Sequence, residues 1–187
     1  MKGERLLPCD RATAWRLLND TETLKQCVPG CESMTAAADG SYEVQMTAAV
    51  GPVKARFKGK MSLADIKPPT RYRLIFEGQS AQAGFARGQS RIELEAVPPH
   101  ETRLHYAASA QIGGKLAQIG SRLIDAAAAA TADRFFEAFA ARLAATQGPP
   151  GAEAAGGPAQ AQPAAPASFG FWRWLLALLK HLFARAR

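Results

Sequence analysis

The sequence predicts an α+β fold in which a curved antiparallel sheet wraps around one long C-terminal helix. Segments with an alternating apolar and polar pattern follow one another between residues 41 and 112. They are followed by residues 115–145, which contain no proline and consist mostly of good helix formers. With 187 residues, 48% of them hydrophobic, the chain can form one domain with a substantial core and an appendage.

The chain before the sheet predicts one strand and two short helices. Residues 2–7 form the strand, and a first helix covers residues 11–19 after the capping residue Asp10. A second short helix ends before the Val-Pro-Gly turn at residues 28–30. Trp15 lies on the first helix, where a place in the core and a place on the wall of a ligand site are both open.

Five strand-like segments follow, separated by turns that contain glycine or proline. They cover residues 41–50, 53–63, 71–77, 86–97 and 102–112. The clearest is 53–63, whose strict alternation indicates a strand with one buried and one solvated face. Residues 78–85 contain two glycines and predict a mobile loop at the mouth of the domain, with Phe85 as a candidate lid.

The side chains of the predicted long helix are small in its middle and bulky at both ends. Residues 126–130 are all alanine, and several inward strand positions are alanine or glycine. Small residues on both walls favour an apolar cavity between helix and sheet, and close helix–sheet packing is the alternative. The residues expected on the wall of this cavity are Trp15, Val53, Phe57, Met61, Tyr72, Leu74, Phe76, Phe85, Tyr106, Leu116, Ile119, Gly120, Leu123, Ala127 and Phe135.

The polar face of the strand at residues 53–63 carries four cations, spaced about 7 Å apart. They are Lys54, Arg56, Lys58 and Lys60. A solvated face is the simplest interpretation. Because all four charges have one sign, a surface for an acidic partner or for lipid headgroups is the alternative. Nucleic-acid binding is not expected, since this strand lacks exposed aromatic residues for base stacking.

The cysteines favour buried thiols over a metal site. Cys27 and Cys31 are spaced more widely than the usual zinc-binding pair, and the three histidines lie far from them in sequence. We therefore expect no metal, and a reducing compartment for the thiols of these two residues and Cys9. Residues 1–10 contain no apolar signal region, so a cytoplasmic location is expected.

The C-terminal part predicts a disordered linker and an amphipathic helix. Residues 148–167 are mostly Pro, Ala, Gly and Gln and cannot bury enough apolar surface to fold. Residues 168–187 contribute +4 of the net charge of +7, and their apolar run is too short to span a bilayer. Aromatic residues and leucines flank one cationic face, which is typical of a helix that lies in the membrane interface, although docking on a protein groove is the alternative. The residues expected to bind the membrane are Phe171, Trp172, Arg173, Trp174, Leu175, Leu178, Leu179, Lys180, Leu182 and Phe183.

Three segments resemble one known family. Residues 27–33 read Cys-Val-Pro-Gly-Cys-Glu-Ser, and residues 51–59 read Gly-Pro-Val-Lys-Ala-Arg-Phe-Lys-Gly. Residues 110–125 resemble that family's entry into its long helix, and a Phe-Phe pair follows at 135–136. On these motifs, residues 1–147 resemble the CoxG family, named for the G subunit of carbon monoxide dehydrogenase. That family lies in the START-like, polyketide-cyclase-like (SRPBCC) helix-grip superfamily.

The resemblance implies an accessory protein rather than an enzyme. Such a protein would recruit a molybdenum-containing carbon monoxide dehydrogenase, or a related molybdenum hydroxylase, to the inner face of the cell membrane. The resemblance also implies no covalent cofactor, and a cavity for a quinone-like lipid, such as the isoprenoid quinone menaquinone, that accepts the enzyme's electrons. An adaptor with a filled core is one alternative. A cyclase- or aromatase-type enzyme is the other, with Tyr42, Tyr72 and Tyr106 as the chief inward acid–base candidates.

Overall fold

The structure, a computed structural model, describes residues 1–147. Its strands are β1 (Lys2–Leu7), β2 (Cys31–Ala36), β3 (Tyr42–Val50), β4 (Val53–Lys67), β5 (Arg71–Ser80), β6 (Gly84–Val97) and β7 (Glu101–Gly113). Its helices are α1 (Arg11–Leu18), α2 (Thr21–Cys27), a 3₁₀ helix (Gly114–Ile119) and α3 (Ser121–Gln147). The predicted linker and amphipathic helix, residues 148–167 and 168–187, lie outside the described residues.

The seven strands form one antiparallel sheet in the order β1-β7-β6-β5-β4-β3-β2. Four successive hairpins build the sheet from β3 to β7, and the N-terminal β1 pairs with β7 at one edge. The helix α1 packs against β6 and β7, whereas α2 packs against β2 and α3. Together with the C-terminal helix α3, this arrangement confirms the predicted α+β class with a curved sheet around a long helix.

The hydrophobic core lies at the end of the sheet where α1, α2 and the second half of α3 meet. Phe139 and Leu143 of α3 have no exposed surface. They belong to one cluster with residues from both short helices and from β1, β6 and β7. The other members include Leu7, Ala14, Leu17, Leu18, Cys27, Ile92, Leu94 and Leu104. The alanine-rich first half of α3 contributes nothing to this cluster, so the main core lies under the second half of the helix.

The long helix begins later than the sequence predicts. The residues before it form a 3₁₀ helix that ends at Gly120, whose positive φ of 92° separates it from α3. Because a 3₁₀ helix has 3.0 rather than 3.6 residues per turn, the predicted apolar stripe loses its phase there. Leu123 is consequently 49% exposed, and the neighbouring Ile124 turns toward the sheet.

The structure also contains a strand, β2, at residues 31–36, which the sequence pattern does not predict. This strand forms the outer edge of the sheet, pairs only with β3, and contains a register shift between Cys31 and Ser33. Because it is short, polar and irregular, it lacks the period-two pattern that identified the longer strands.

The segment 78–85, predicted as a mobile loop, is instead part of a regular hairpin. The strand β5 continues to Ser80, and β6 begins at Gly84, so the turn between them is short. Two glycines weakened the sequence pattern here without ending the strands. Phe85 is the cross-strand partner of Gly113, and its ring occupies the space where a Cβ of Gly113 would lie.

A buried hydrogen bond connects the core strand β7 to the segment before α1. The fully buried Thr102 donates from Oγ1 to the carbonyl oxygen of Cys9 over 2.8 Å. Replacing Thr102 with Val keeps the shape but leaves that carbonyl without a partner, which we expect to lower the free energy of unfolding by about 1–3 kcal/mol. Urea denaturation measures the change.

The matched control is Thr70→Val, since Thr70 also donates to a main-chain carbonyl over 2.8 Å, but at an exposed turn. For this variant we expect the free energy of unfolding to change by less than about 0.5 kcal/mol. Equal losses for the two variants would contradict the role given to the buried bond.

Candidate functional site

A cavity of 1020 Å³ lies between the first half of α3 and the face of the sheet that this helix covers, here called the inner face. Its walls are largely apolar. The main contributions from the sheet are Tyr42, Met46, Met61, Leu63, Tyr72, Leu74, Phe76, Ile92, Leu104 and Tyr106. Those from α3 are Ile124, Ala127, Ala128, Thr131, Ala132, Phe135 and Phe136.

The cavity exists because small side chains face each other across it. The helix presents Ala127, Ala128 and Ala132, and the opposite β7 presents Ala108 and Ala110. A methyl group reaches only a short distance from the main chain, so these residues cannot fill the space that the bulky second half of α3 fills elsewhere. The unequal size of residues along α3 thus separates the packed core from the cavity.

The cavity deepens from the beginning of α3 toward the packed core. At the shallow end, Ala49, Ala110 and Asp125 belong to the wall and are exposed. At the deep end, Tyr42 and Tyr72 are only 8% and 6% exposed. Met1 and Arg134 are also exposed wall residues, so the cavity has more than one opening. The opening between the β3–β4 turn and the beginning of α3 is here called the mouth, and the inner end lies beside α1.

The buried hydroxyls at the inner end belong to Tyr42 and Tyr72, and the wall also contains the uncharged polar side chains of Asn19 and Ser90. Burial raises the pKa of Tyr42, and burial followed by the neighbouring Tyr42 raises the pKa of Tyr72, so both side chains are neutral at pH 7. The charged groups of the wall residues are the N-terminal ammonium of Met1 and the side chains of Lys54, Asp125 and Arg134, and all four residues are exposed. The site is therefore suited to an uncharged, mainly apolar ligand.

Seven of the fifteen residues predicted for the cavity wall lie on it. They are Met61, Tyr72, Leu74, Phe76, Tyr106, Ala127 and Phe135. Strand alternation identified the sheet residues, because the register pairs Leu63 with Leu74 and Met61 with Phe76 on one face. The sequence prediction missed Ile124, Ala128 and Phe136, whose positions depend on where α3 begins.

Four residues at the beginning of the predicted long helix were expected on the cavity wall but lie away from it. Leu116, Ile119 and Gly120 belong to the 3₁₀ helix or its end, and Leu123 is largely exposed. The main-chain N–H of Leu116 donates to Ala83 over 2.9 Å, so this segment packs on the β5–β6 turn instead. The early start assigned to the helix caused these four errors.

Phe85 also lies away from the cavity and does not form the predicted lid. The wall residues of β6, Ser90 and Ile92, have even numbers, whereas Phe85 shares the opposite face with Arg87. The guanidinium of Arg87 lies 5.8 Å from the centre of the Phe85 ring. A cation–π contact on the outer face accounts for this aromatic residue.

The other three predicted residues lie beside the wall. Trp15 packs against the core, and its ring meets that of Tyr72 edge-on with a centroid distance of 5.5 Å. It therefore supports a wall residue from behind. Val53 and Phe57 lie on the inner face of β4 with Met61, but they are not part of the cavity wall.

Three of the four predicted cations, Arg56, Lys58 and Lys60, occupy the outer face of β4, whereas Lys54 belongs to the exposed part of the cavity wall. Two of the four have partners within the domain. Arg56 forms an ion pair with Glu32, and Lys60 pairs with Asp39 over 2.7 Å. Their partners come from β2 and from the β2–β3 turn, which the prediction did not place beside them. Lys54 and Lys58 form no ion pair within residues 1–147, so the surface is less cationic than the strand sequence indicates.

The cysteines of the domain are free thiols. Cys9 and Cys27 are buried and Cys31 is partly buried. Burial raises the pKa of Cys9 to about 11, which keeps its thiol protonated at neutral pH. Residues 1–147 contain no group of three or more His, Cys, Asp or Glu side chains that could hold a metal ion. In the same range, no helix combines the length and apolarity needed to cross a membrane.

Comparison with known proteins agrees with this geometry. A conserved protein from Geobacillus kaustophilus is 28% identical with a TM-score of 0.74, and the match covers 78% of this chain and 95% of that one. A START superfamily protein from Mycobacterium smegmatis is 11% identical, with a TM-score of 0.57 over 76% of this chain and 94% of that one. The Zhui aromatase/cyclase from Streptomyces sp. R1128 is 12% identical with a TM-score of 0.56, and the match covers 79% of this chain and 97% of that one.

The two distant likenesses show a shared fold alone. No curated protein sequence matches the chain significantly. The family model of CoxG, the G subunit of carbon monoxide dehydrogenase, matches residues 3–144, which is nearly all of the described domain. With its START-like sheet around a long helix, the chain therefore belongs to the carbon monoxide dehydrogenase CoxG family.

Proposed function

We propose that this protein binds a quinone-like lipid in the cavity under α3 and carries it for a carbon monoxide dehydrogenase. Membership of the CoxG family supports an accessory role beside that enzyme or a related molybdenum hydroxylase. The observation that carries the ligand proposal is the largely apolar 1020 Å³ cavity, whose wall includes the buried tyrosines Tyr42 and Tyr72.

The size and chemistry of the cavity favour a long, uncharged lipid. Small-molecule sites usually measure about 300–1,000 Å³, and this cavity of 1020 Å³ is slightly larger than that range. Its mouth at the beginning of α3 would let an isoprenoid tail continue outward while the ring lies inside. A quinone held there could accept two electrons and two protons from the dehydrogenase and leave as a quinol.

A catalytic role, as in an aromatase or cyclase, has less support. Such chemistry needs a general acid or base that exchanges a proton near neutral pH. The pKa values of Tyr42 and Tyr72 are raised, not lowered, by burial. The charged groups on the wall are confined to its exposed part.

We also propose that residues 168–187 bind the inner face of the cell membrane, with the linker 148–167 giving the domain reach. This proposal depends on the sequence pattern, because both segments lie outside the described residues. In a helical arrangement, Arg173 and Lys180 would share a face toward the lipid phosphates, and the leucines and aromatic residues would enter the interface.

Flotation of the full-length protein with anionic vesicles tests the membrane proposal. The double variant Leu178→Gln/Leu182→Gln removes two apolar side chains, each worth about 1.5–3 kcal/mol when fully buried. We expect its vesicle affinity to fall at least about tenfold. The matched control is Ala177→Gln/Ala184→Gln on the cationic face, with an expected change below about threefold. Equal flotation of both double variants and the unaltered protein would contradict the anchor.

A further inference from the structure

We propose that the hydroxyls of Tyr42 and Tyr72 bind the head of the ligand by donating hydrogen bonds to neutral oxygen acceptors. This inference rests on the proposed lipid-binding function and specifies the class of ligand. It assigns the head to the inner end of the cavity and the tail to the mouth. The ligand class is an apolar molecule with carbonyl oxygens, such as a quinone.

The first argument is that both hydroxyls lack a partner. Tyr42 and Tyr72 are more than nine-tenths buried and line the cavity. Within residues 1–147, neither hydroxyl forms a hydrogen bond with another protein group. Neither hydroxyl oxygen is among the fully buried, unpartnered side-chain atoms of residues 1–147, so both are accessible from the cavity. A group that enters the cavity can supply the missing acceptor.

The second argument is electrostatic. The wall around these tyrosines consists mainly of apolar residues, including Met61, Ile92 and Leu104, and its polar residues Asn19 and Ser90 are uncharged. The charged wall residues of the described chain are exposed, and two of them, Lys54 and Asp125, lie near the mouth. A carboxylate or phosphate placed beside the tyrosines would lose its hydration without gaining a counter-ion. Neutral carbonyl oxygens can accept the hydrogen bonds without that cost.

Tyr106 provides a contrast within the same cavity. Its ring lies 5.5 Å from that of Phe136, and its hydroxyl lies against Gly3 of the edge strand β1. A side chain at Gly3 would collide with that hydroxyl. Tyr106 therefore contributes its ring to the wall while its hydroxyl is directed to the sheet edge, away from the inner end.

Binding measurements on full-length Tyr→Phe variants test the proposal. The probes are phylloquinone, which has two ring carbonyls, squalene, an isoprenoid hydrocarbon without oxygen, and oleate, which carries a carboxylate. Each probe is delivered from cyclodextrin over a concentration series. Protein-bound probe is then separated by gel filtration, extracted and quantified to give a Kd.

We expect Tyr42→Phe and Tyr72→Phe each to weaken phylloquinone binding about five- to tenfold. Squalene binding should change less than about twofold, since it accepts no hydrogen bond. Thr70→Val is the control and should leave both affinities within about twofold, because it removes a hydroxyl that is not on the cavity wall. Oleate should bind the unaltered protein more weakly than phylloquinone. The ligand-free variants should melt at or above the temperature of the unaltered protein, because an unpartnered hydroxyl is removed.

The outcomes separate this inference from the proposed function. If Tyr42→Phe and Tyr72→Phe leave phylloquinone binding unchanged, or weaken squalene and phylloquinone equally, the head-group assignment is overturned while lipid binding stands. Stronger binding of oleate than of phylloquinone would overturn the assignment of a neutral head. If the unaltered protein takes up neither phylloquinone nor squalene, the proposed function fails and the head-group assignment fails with it.

Discussion

Replacing Ala128 with Phe is expected to reduce lipid uptake to less than about one tenth while leaving the domain folded. Ala128 lies on the wall formed by α3, and a benzyl group there would project into the 1020 Å³ cavity. Because the space is already open, the new ring does not displace packed side chains, and overpacking costs are avoided. Organic extraction after incubation with phylloquinone measures the uptake, and thermal melting checks the fold.

Ala129→Phe is the matched control for this prediction. Ala129 is the next residue of the same helix, but it is exposed and is not on the cavity wall. The two variants therefore differ in the direction of the added ring and not in composition or helix propensity. Equal uptake by both variants would show that the space under α3 is not where the lipid binds.

Replacing Phe139 with Ala is expected to lower the free energy of unfolding by about 3–5 kcal/mol. Phe139 is completely buried, stacks on Phe135 with a centroid distance of 5.9 Å, and joins α3 to the cluster around α1 and β7. Since small domains are stable by only about 5–15 kcal/mol, this single change would remove a large share of the total. Urea denaturation at equilibrium measures it.

Phe136→Ala provides the comparison, because Phe136 is only partly buried and lines the existing cavity. Its loss widens a space that is already present, so we expect a smaller cost of about 1–2 kcal/mol. If Phe136→Ala destabilises the protein as much as Phe139→Ala, the division of α3 into a cavity half and a core half is incorrect.

The fold could be predicted from the sequence because its strongest signals are local. The strict alternation at residues 53–63 gave the inner and outer faces of β4, and the helix-forming residues up to Ala145 gave most of α3. The small residues in the middle of that helix also indicated where space would remain. These patterns depend only on the two periodicities of strands and helices.

The parts that could not be predicted depend on contacts between distant segments. Gly120 ends a 3₁₀ helix, which has fewer residues per turn than an α-helix, so the residues before α3 face other directions than a continuous α-helix would give them. Helix propensity alone does not distinguish the two kinds of helix. Phe85 can be assigned to the outer face only when the pairing of β6 with β7, which places it opposite Gly113, is known. The ion pairs of Arg56 and Lys60 required the unpredicted β2 and the turn after it to bring Glu32 and Asp39 nearby.

The identity of the ligand could be approached only with both kinds of information. Alternation placed Tyr42 and Tyr72 on inward faces, but their burial and missing partners are properties of the folded domain. The restriction of charged wall residues to exposed positions became visible only when strands and helix were assembled. A family resemblance implies a quinone, and the buried tyrosines and exposed charges are the observations on which we propose a neutral, carbonyl-bearing apolar molecule.

Native mass spectrometry of the full-length protein, followed by organic extraction and identification of the bound molecule, tests the central claim most directly. The protein is purified from its expression host and again after incubation with quinone-containing vesicles. We predict a near-stoichiometric isoprenoid quinone in the extract and a matching mass increase that Ala128→Phe abolishes. A protein that binds these vesicles but carries no lipid in either preparation would contradict the account, and it would favour an adaptor that only holds an enzyme at the membrane.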